Sequence, residues 1–136
     1  MIYVERATHE DLLGIWELVD APSLREKLYR AVEQRACLIA RDAQAIVGYL
    51  LREPCFFDYP IITLIEVHRD YLHKGVAHIL LEYAVQTNPS DRLFATLLNH
   101  NQTHRLLLES MGFSPSGQVH HIHPTDVHLI YVKFIR

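Results

Sequence analysis

Apolar residues recur along the chain with two different spacings, and these spacings predict its strands and helices. Alternating or continuous apolar stretches bounded by turn residues are typical of strands, whereas apolar residues three and four positions apart are typical of amphipathic helices. The pattern predicts strands over residues 2–7, 36–42, 45–53, 61–67, 92–98, 113–123 and 127–135, and helices over 9–19, 24–34, 76–87 and 102–111. The predicted order is therefore β, α, α, β, β, β, α, β, α, β, β.

Two details of this pattern concern the ends of elements and the core. The aromatic segment 54–60 begins and ends with proline, which predicts a loop. Either Asn99 or Asn101 can cap the fourth helix, because the asparagine side chain accepts hydrogen bonds from free helix N–H groups. That helix is expected to contribute core residues, namely Leu106, Leu107 and Met111.

The strand over 61–67 is almost entirely apolar and β-branched, which is typical of a central strand buried on both faces. A short polar turn with Lys74 and Gly75 follows it and leads into the third helix. Free N–H groups and the positive end of the helix macrodipole make such a turn suitable for binding phosphate. Many similar turns bind nothing, so these residues alone leave open both an anion site and a plain helix start.

Two motifs resemble those of the GNAT superfamily of N-acetyltransferases. Its acetyl-CoA signature is a strand ending in Val, then Arg/Gln-x-x-Gly-x-Gly/Ala, then an apolar helix, and the segment VHRDYLHKGVAHILLEYA is similar, with its core at residues 72–77. The second motif, an Asn followed twelve residues later by the Phe of a Gly-Phe pair, falls at Asn101 and Gly112-Phe113. The predicted element order also matches, so the resemblance spans nearly the whole chain.

The resemblance implies a fold and a cosubstrate. The fold is α/β, of the α+β sandwich type: a central mixed, mostly antiparallel, splayed seven-stranded sheet flanked by about four helices, in a single domain over residues 1–136. The implied cosubstrate is acetyl-CoA. The backbone of residues 65–67 would pair with the pantetheine arm, the amides of residues 73–77 would hold the pyrophosphate with charge from His73 and Lys74, and Asn101 with its helix would line the other side.

The residues that the resemblance assigns to the cofactor are Ile65, Val67, Leu72, His73, Lys74, Gly75, Val76, Ala77, Asn101 and Leu108. Two of them depart from the family pattern. Leu72 stands where the family usually has Arg or Gln, so one side-chain contact to phosphate is missing. Leu108 stands where many members have a tyrosine that protonates the leaving thiolate. A thiol with a pKa of about 8.5 is a fair leaving group even without that tyrosine. Lys74 can also be read as a solvated lysine, and Asn101 as a plain helix cap.

Acetyl transfer to an amine requires that an ammonium group lose its proton, usually to a carboxylate. Glu66 is the main candidate for this base, because it interrupts an otherwise apolar strand beside the expected thioester. It can equally be a side chain that reaches solvent at the end of the strand. Glu53, His68 and Tyr59 are weaker candidates.

Composition excludes several classes of protein. A formal net charge of -3 argues against binding of nucleic acid through phosphate neutralisation. The apolar runs are short, and the first residues lack the pattern of a secretory signal, so we expect a cytoplasmic protein without membrane spans. Cys37 and Cys55 are too few for a disulfide framework and are expected to be reduced core residues.

The histidines near the C-terminus suggest a metal site only weakly. If 113–123 is a strand, His121 and His123 share one face while His120 points the other way, so that at most this pair and His128 could converge. We therefore expect no native metal, and a polar strand pair that faces substrate or solvent.

Together these observations predict an acetyl-CoA-dependent N-acetyltransferase that acts on a primary amine of a small molecule or protein. The alternative is a non-catalytic or weakly active protein of the GNAT fold that binds acyl-CoA, which the departures at Leu72 and Leu108 favour. No nucleic acid or membrane partner is expected, and a homodimer is left open.

Overall fold

The structure, a computed structural model, describes residues 1–19 and 21–135. Its strands are β1 (Ile2–Arg6), β2 (Cys37–Asp42), β3 (Ala45–Phe56), β4 (Tyr59–Val67), β5 (Arg92–Leu98), β6 (Ser114–Val119) and β7 (His128–Phe134). Its helices are α1 (Leu12–Glu17), α2 (Leu24–Glu33), α3 (Val76–Gln86) and α4 (Gln102–Ser110), with short 3₁₀ turns at His9–Asp11 and Arg69–Tyr71. The predicted order of strands and helices is confirmed.

The strands form a seven-stranded sheet in the order β1-β2-β3-β4-β5-β7-β6. Neighbours are antiparallel except β4 and β5, which are parallel. These two pair only through Ile61 with Phe94 and Ile62 with Ala95, and then separate. The expected mixed, mostly antiparallel and splayed sheet is confirmed.

Each face of the sheet carries its own apolar core. On β2, Leu38 and Ala40 belong to a cluster that includes α3, whereas Cys37 and Ile39 belong to a cluster that includes α1 and α2. This division follows from the strand geometry, because successive side chains point to opposite faces. Helix α3 therefore covers one face of the sheet, and α1 and α2 cover the other.

The aromatic segment 54–60 is part of a β-hairpin and the loop prediction for it is wrong. Strand β3 continues to Phe56, β4 begins at Tyr59, and Phe57 and Asp58 form the turn with φ values of 51° and 67°. Positive φ at both central residues is the requirement of a tight type I′ hairpin turn. Pro54 is tolerated because the β3–β4 register shifts between Glu53 and Phe56, so that no regular ladder bond is lost there.

The two cysteines differ in environment. Cys37 is fully buried on β2, as expected, and the pKa of its thiol is raised to about 12 because burial disfavours the thiolate and Asp11 repels it. Cys55 is exposed, so its assignment to the core is wrong. The reason is that Cys55 lies in the irregular end of the β3–β4 hairpin, beyond the part of the sheet that helices cover.

Helix α4 buries a different leucine from those expected. Leu108 is only 2% exposed, whereas Leu106, expected in the core, is 58% exposed. Leu107 and Met111 are partly buried and pack against the cluster that contains α3. The amphipathic face of α4 is thus narrow, and it is centred on the residue that the family pattern had suggested for catalysis.

The end of the chain contains a shorter strand than predicted. Strand β6 ends at Val119, and residues 120–127 connect it to β7, so His121 and His123 do not lie on a strand and the argument about their shared face is wrong. Every residue of β6 is exposed, and no apolar alternation fixes where it ends.

The helices of the described segments were also assessed for membrane insertion. None of them combines the length and the apolar character needed to cross a bilayer.

Candidate active site

The opening between β4 and β5 provides a place where a ligand can reach the backbone of a central strand. The ladder between them ends after two residue pairs, and a cavity of about 290 Å³ lies in the gap beyond. On the other edge of β4, the N–H of His68 donates to the carbonyl of Val47 on β3. Since backbone groups of successive residues point to opposite edges, those of Val67 and Ile65 point towards the opening. This is the edge that pantetheine pairing requires.

A β-bulge in β4 sets which side chains face which side of the sheet. Leu51 pairs with Leu64 while the next residue, Arg52, pairs with Ile62, so Thr63 is an extra residue. Beyond the bulge, Leu64 packs with the cluster of α1 and α2, and Ile65 belongs to the cluster of α3. Glu66 therefore points to the α1/α2 side.

The turn between β4 and α3 has the features of an anion cradle. His73 and Gly75 have φ values of 63° and 82°, and the first helical bond runs from the N–H of Ile79 to the carbonyl of Gly75. The N–H groups of residues 76–78 thus lack partners within the helix, and no side chain of the described residues caps them. A cavity of about 430 Å³ lies beside this turn.

Eight of the ten residues assigned to the cofactor lie around that cavity: Ile65, Val67, Leu72, His73, Gly75, Val76, Ala77 and Asn101. Leu108 lines the 290 Å³ cavity in the strand gap. Lys74 does not line the cavity itself, and its Nζ lies 5.4 Å from the ring centroid of Tyr71, which does. The Tyr71 hydroxyl donates to Asp42 over 2.6 Å, and this hydrogen bond lowers the pKa of Asp42 and raises that of Tyr71.

The first turn of α4 forms the wall opposite β4. Asn101 caps the helix, since its Oδ1 accepts from the backbone N–H of His104 over 3.1 Å; Asn99 has no such role. The Nδ2 atom of Asn101 lies 3.1 Å from Nδ1 of His104. The His104 ring lines both the 290 Å³ and the 430 Å³ cavities, and burial lowers its pKa.

Glu66 lies where the cavities of the two sides meet. It lines the cavity in the strand gap, the cavity beside the turn, and a third of about 270 Å³ on the α1/α2 side. The third cavity is otherwise lined by Leu18, Val19, Ala21, Leu24, Tyr49 and Leu64. We call the 430 Å³ cavity the cofactor side and the 270 Å³ cavity the acceptor side.

Tyr49 is the residue of β3 that faces Glu66. The two are direct partners in the β3–β4 ladder, and Tyr49 is 1% exposed. The pKa of Tyr49 is raised strongly, mainly because burial disfavours the phenolate and also because the Glu66 carboxylate repels it. Tyr49 is therefore neutral and presents a phenol beside the carboxylate.

The three weaker base candidates lie in other surroundings. The Thr63 hydroxyl donates to the Glu53 carboxylate, and Lys27 lies 3.5 Å from it. His68 accepts from the N–H of Asp70 as the cap of a 3₁₀ turn. Tyr59 packs under the guanidinium of Arg92, 4.7 Å from its ring centroid. Glu66 differs from all three in lining the three cavities.

The C-terminal histidines show no metal geometry. His123 and His128 stack with ring centroids 5.2 Å apart, and Nδ1 of His128 lies 3.4 Å from the Thr96 hydroxyl. Among residues 1–19 and 21–135, no group of three or more His, Cys, Asp or Glu side chains could hold a metal ion. His128 and Thr96 instead line the cavity in the strand gap.

Two site residues were missed by the sequence analysis. His104 was detectable, because it lies four positions before Leu108 and so on the same face of α4. Tyr49 was detectable from a two-residue turn at Phe57-Asp58: counting back from the pair Phe56–Tyr59 places Tyr49 opposite Glu66. Interpreting 54–60 as a loop concealed this register.

A splayed mixed sheet with a helix N-terminus beside the opening is the architecture of an acyl-CoA-dependent acyltransferase. The chain belongs to the acetyltransferase (GNAT) family, since the model of that family matches residues 4–113, most of its length. Acetyl-CoA is therefore the cosubstrate. A sequence search of curated proteins gives no match.

Solved structures show the same fold at low sequence identity. A GNAT-family acetyltransferase from Bacillus cereus ATCC 10987 has a TM-score of 0.93 at 24% identity, covering 100% of this chain and 99% of that one. The ribosomal-protein-S18-alanine N-acetyltransferase of Escherichia coli has a TM-score of 0.85 at 17% identity, covering 99% and 94%. The yncA structure from Salmonella typhimurium with its cofactor acetyl-CoA has a TM-score of 0.81 at 15% identity, covering 100% of this chain and 95% of that one.

Proposed function

We propose that this protein transfers the acetyl group of acetyl-CoA to a primary amine of a small molecule or a protein. The observation that carries the proposal is the position of Glu66, a residue that borders the cofactor side, the strand gap and the acceptor side, with its side chain directed to the acceptor side. A thioester in the gap and an amine on the acceptor side would meet at this residue.

The residues around the turn fit the cofactor. A Cβ placed on Gly75 would meet nothing within 4 Å, so the space beside the residue that precedes α3 is open, and the cavity of the cofactor side adjoins it. These groups and the positive helix end suit a pyrophosphate, as the family pattern implies for residues 73–77. The open edge at Ile65 and Val67 suits the pantetheine amides. Bound acetyl-CoA supplies an acetyl group activated as a thioester.

Glu66 is proposed as the base, on the grounds of position. An alkylammonium with a pKa of about 10.4 is mostly charged at neutral pH, so a carboxylate must remove a proton before the nitrogen can attack. Glu66 also attracts the ammonium while it is still charged. The N–H of Val67, directed towards the opening, is suited to stabilise negative charge on the acetyl oxygen.

The acceptor side favours an amine with an apolar body. Its wall consists of aliphatic side chains from the segment after α1, from α2 and from β4, together with Tyr49, and Glu66 lies at the end next to the strand gap. Burying alkyl groups against such a wall contributes about 0.8 kcal/mol per methylene. We therefore propose a primary amine with an aliphatic or aromatic substituent, either free or as a protein side chain or terminus.

The proposal is tested by an amine panel with acetyl-CoA as donor. Alkylamines and arylalkylamines are compared with amino sugars and with peptides that carry lysine or a free N-terminus, and both thiol release and the acetylated product are measured. We expect acetylation to be fastest for amines with an apolar substituent. Equal rates for polar and apolar amines would contradict the proposed acceptor class.

The alternative function is an acyl-CoA-binding protein of the same fold with little or no catalysis. Two observations favour it: Leu72 is 50% exposed and offers no phosphate contact, and Leu108 has no ionisable group. Thermal shifts with acetyl-CoA, CoA and desulfo-CoA separate the two functions. Stabilisation by acetyl-CoA without acetylation of any amine would establish the alternative.

A further inference from the structure

The position of His104 places an imidazole at the junction of the two cavities that the cofactor would occupy. The cavity beside the turn and the cavity in the strand gap share four lining residues: Ile65, Glu66, Asn101 and His104. An acyl group that starts from the cradle and reaches an amine next to Glu66 must pass this junction. His104 is thus a polar side chain of α4 on the route of the thioester.

The hydrogen bonds of Asn101 determine the tautomer of this ring. Oδ1 of Asn101 accepts from the backbone N–H of His104, so the amide group that faces the ring is the NH₂ of Nδ2. An NH₂ group can only donate, and Nδ1 of His104 must therefore accept. In a neutral imidazole the other nitrogen then carries the proton. Among the described residues, no hydrogen bond involves Nε2, so Nε2–H is available as a donor.

We propose that the Nε2–H of His104 donates a hydrogen bond to the thioester sulfur of acetyl-CoA and to the thiolate that leaves. The inference rests on the proposed function, because it requires the acyl group at this junction. His104 lies one helical turn before Leu108, on the same face of α4, and would act where the family pattern has a tyrosine hydroxyl. Burial keeps the imidazole neutral near pH 7, so it acts as a fixed donor.

The proposed step balances without proton transfer from His104. The C–N bond forms and the C–S bond breaks, and the electron pair of the broken bond stays on sulfur. The ammonium loses two protons in total: one passes through the Glu66 carboxylate to solvent, and the other ends on the sulfur as CoA thiol. His104 lowers the energy of the thiolate while keeping its own proton, as a neutral donor in a poorly solvated site can.

The inference predicts a property of bound CoA that can be measured without catalysis. A hydrogen bond to the thiolate lowers the pKa of the CoA thiol, and the thiolate absorbs in the ultraviolet, so the bound thiol can be titrated at saturating CoA. One net hydrogen bond to the thiolate should lower the pKa of the bound thiol by about one unit. The two cavities are lined by other titratable side chains, which all variants below retain and whose contributions are therefore the same in each: Glu66, Tyr71, His73, His78 and His128.

Three variants separate the donor from the packing of the ring. His104→Ala removes the N–H and should raise the pKa of bound CoA thiol by about one unit. His104→Gln keeps an N–H donor and should retain most of the shift. His100→Ala removes a histidine just before α4 that lines neither cavity and lies 3.6 Å from Asp126, and it should leave the pKa of the bound thiol unchanged. Melting temperatures of all three variants check that they are folded.

The outcomes distinguish this inference from the proposed function. If CoA binds and its thiol titrates alike in wild type and His104→Ala, the inference is wrong while the transferase function stands. An equal shift of the thiol pKa in His100→Ala would also overturn it, because the effect would not be specific to His104. If the wild type does not bind CoA, both the inference and the proposed function are wrong. With an amine found, His104→Ala should lower kcat about tenfold with a small change in KM for acetyl-CoA.

Discussion

The cofactor side and the acceptor side of Glu66 are built from different parts of the chain. The cofactor side depends on backbone groups: the open edge of β4 and the N–H groups at the start of α3, within residues 65–78. The acceptor side depends on side chains, contributed by the segment between α1 and α2, by α2 and by β3 and β4. The binding groups of the cofactor side thus lie in one local segment, which α4 faces, whereas the acceptor side is assembled from distant segments.

This difference explains why the cofactor is identified more firmly than the acceptor. A backbone cradle needs only a glycine at the right turn and a helix behind it, so it tolerates the loss of the usual Arg or Gln at Leu72. A pocket made of side chains changes with each substitution in Leu18, Leu24 or Leu64. Mutations on the two sides should therefore affect different binding constants, and Glu66, which is common to both, should affect the rate.

The largest expected effect is that of Glu66→Gln. Removing a general base lowers the chemical rate by about 10²- to 10⁴-fold, and acetyl-CoA affinity should stay nearly constant because the cradle and the open edge are unchanged. Single-turnover rates at saturating amine, with calorimetry for acetyl-CoA, measure the two quantities. An unaltered rate would remove Glu66 from the mechanism.

Glu53→Gln is the matched comparison for that experiment. Glu53 is also a strand carboxylate, but it is engaged by Thr63 and Lys27 instead of lining the cavities. We expect its replacement to change the rate less than about threefold, since no group at the reaction centre is removed. A loss as large as that of Glu66→Gln would make Glu53 the base.

On the cofactor side, Gly75→Ala should weaken CoA binding about tenfold. Gly75 has φ of 82°, where a side chain costs about 1–2 kcal/mol, and the turn is expected to relax and displace the N–H groups next to it. Leu72→Ala, at an exposed position of the same turn, is the control and should have little effect. Calorimetric affinities that agree between Gly75→Ala and wild type would contradict a backbone cradle.

Leu72→Arg should strengthen CoA binding, in contrast to Gly75→Ala. An arginine there restores the side-chain phosphate contact of the family pattern, and an exposed charge-assisted hydrogen bond of about 1 kcal/mol corresponds to roughly fivefold tighter binding of CoA. The gain should diminish at high salt and should be absent for dephosphorylated pantetheine. A gain that salt does not reduce would point to packing rather than charge.

Much of the cofactor side could be predicted from the sequence because its signals are local. A β-branched strand, a glycine turn and an apolar helix follow one another in 61–86, and each element is fixed by neighbours a few residues away. The same holds for Asn101 as a helix cap. His104 could have been added from helical spacing, but its tautomer depends on how the Asn101 side chain is oriented in the folded structure.

The acceptor side and the periphery could not be predicted in the same way. Leu18 and Leu24 line the same cavity as Tyr49 because of how α1 and α2 pack on the sheet and because of the bulge at Thr63, and neither feature leaves a local pattern. Cys55 was misplaced because apolar character alone does not reveal which part of the sheet lacks a covering helix, and Leu106 was misplaced because it lies outside the narrow buried face of α4. Apolar residues are common on protein surfaces.

On the acceptor side, Leu24→Ala should raise KM for apolar amines about fivefold. The substitution removes part of an aliphatic wall. The binding free energy of an apolar amine should weaken by about 1 kcal/mol, because the amine loses contacts with the leucine side chain. The affinity for acetyl-CoA and KM for polar amines should not change. Leu13→Ala, on α1 and 72% exposed, is the control. Equal effects on both KM values and CoA affinity would show that the two sides are not independent.

The smallest expected effect concerns the ion pairs that hold α1 to the sheet on the acceptor side. Asp11 accepts from Arg41 and from the backbone N–H of Thr8; although burial by itself raises its pKa, these hydrogen bonds and the nearby positive charge lower it overall. A lowered pKa in the folded state stabilises the protein above the unfolded pKa, and this contribution is lost as pH falls through the folded value. The melting temperature should therefore decrease between about pH 5 and pH 3 by about 2–4 °C more in wild type than in Asp11→Asn. Parallel profiles of melting temperature against pH in the two proteins would show that Asp11 does not contribute this dependence. As a control, CoA affinity at neutral pH should be the same in both proteins, because the cofactor side does not include α1.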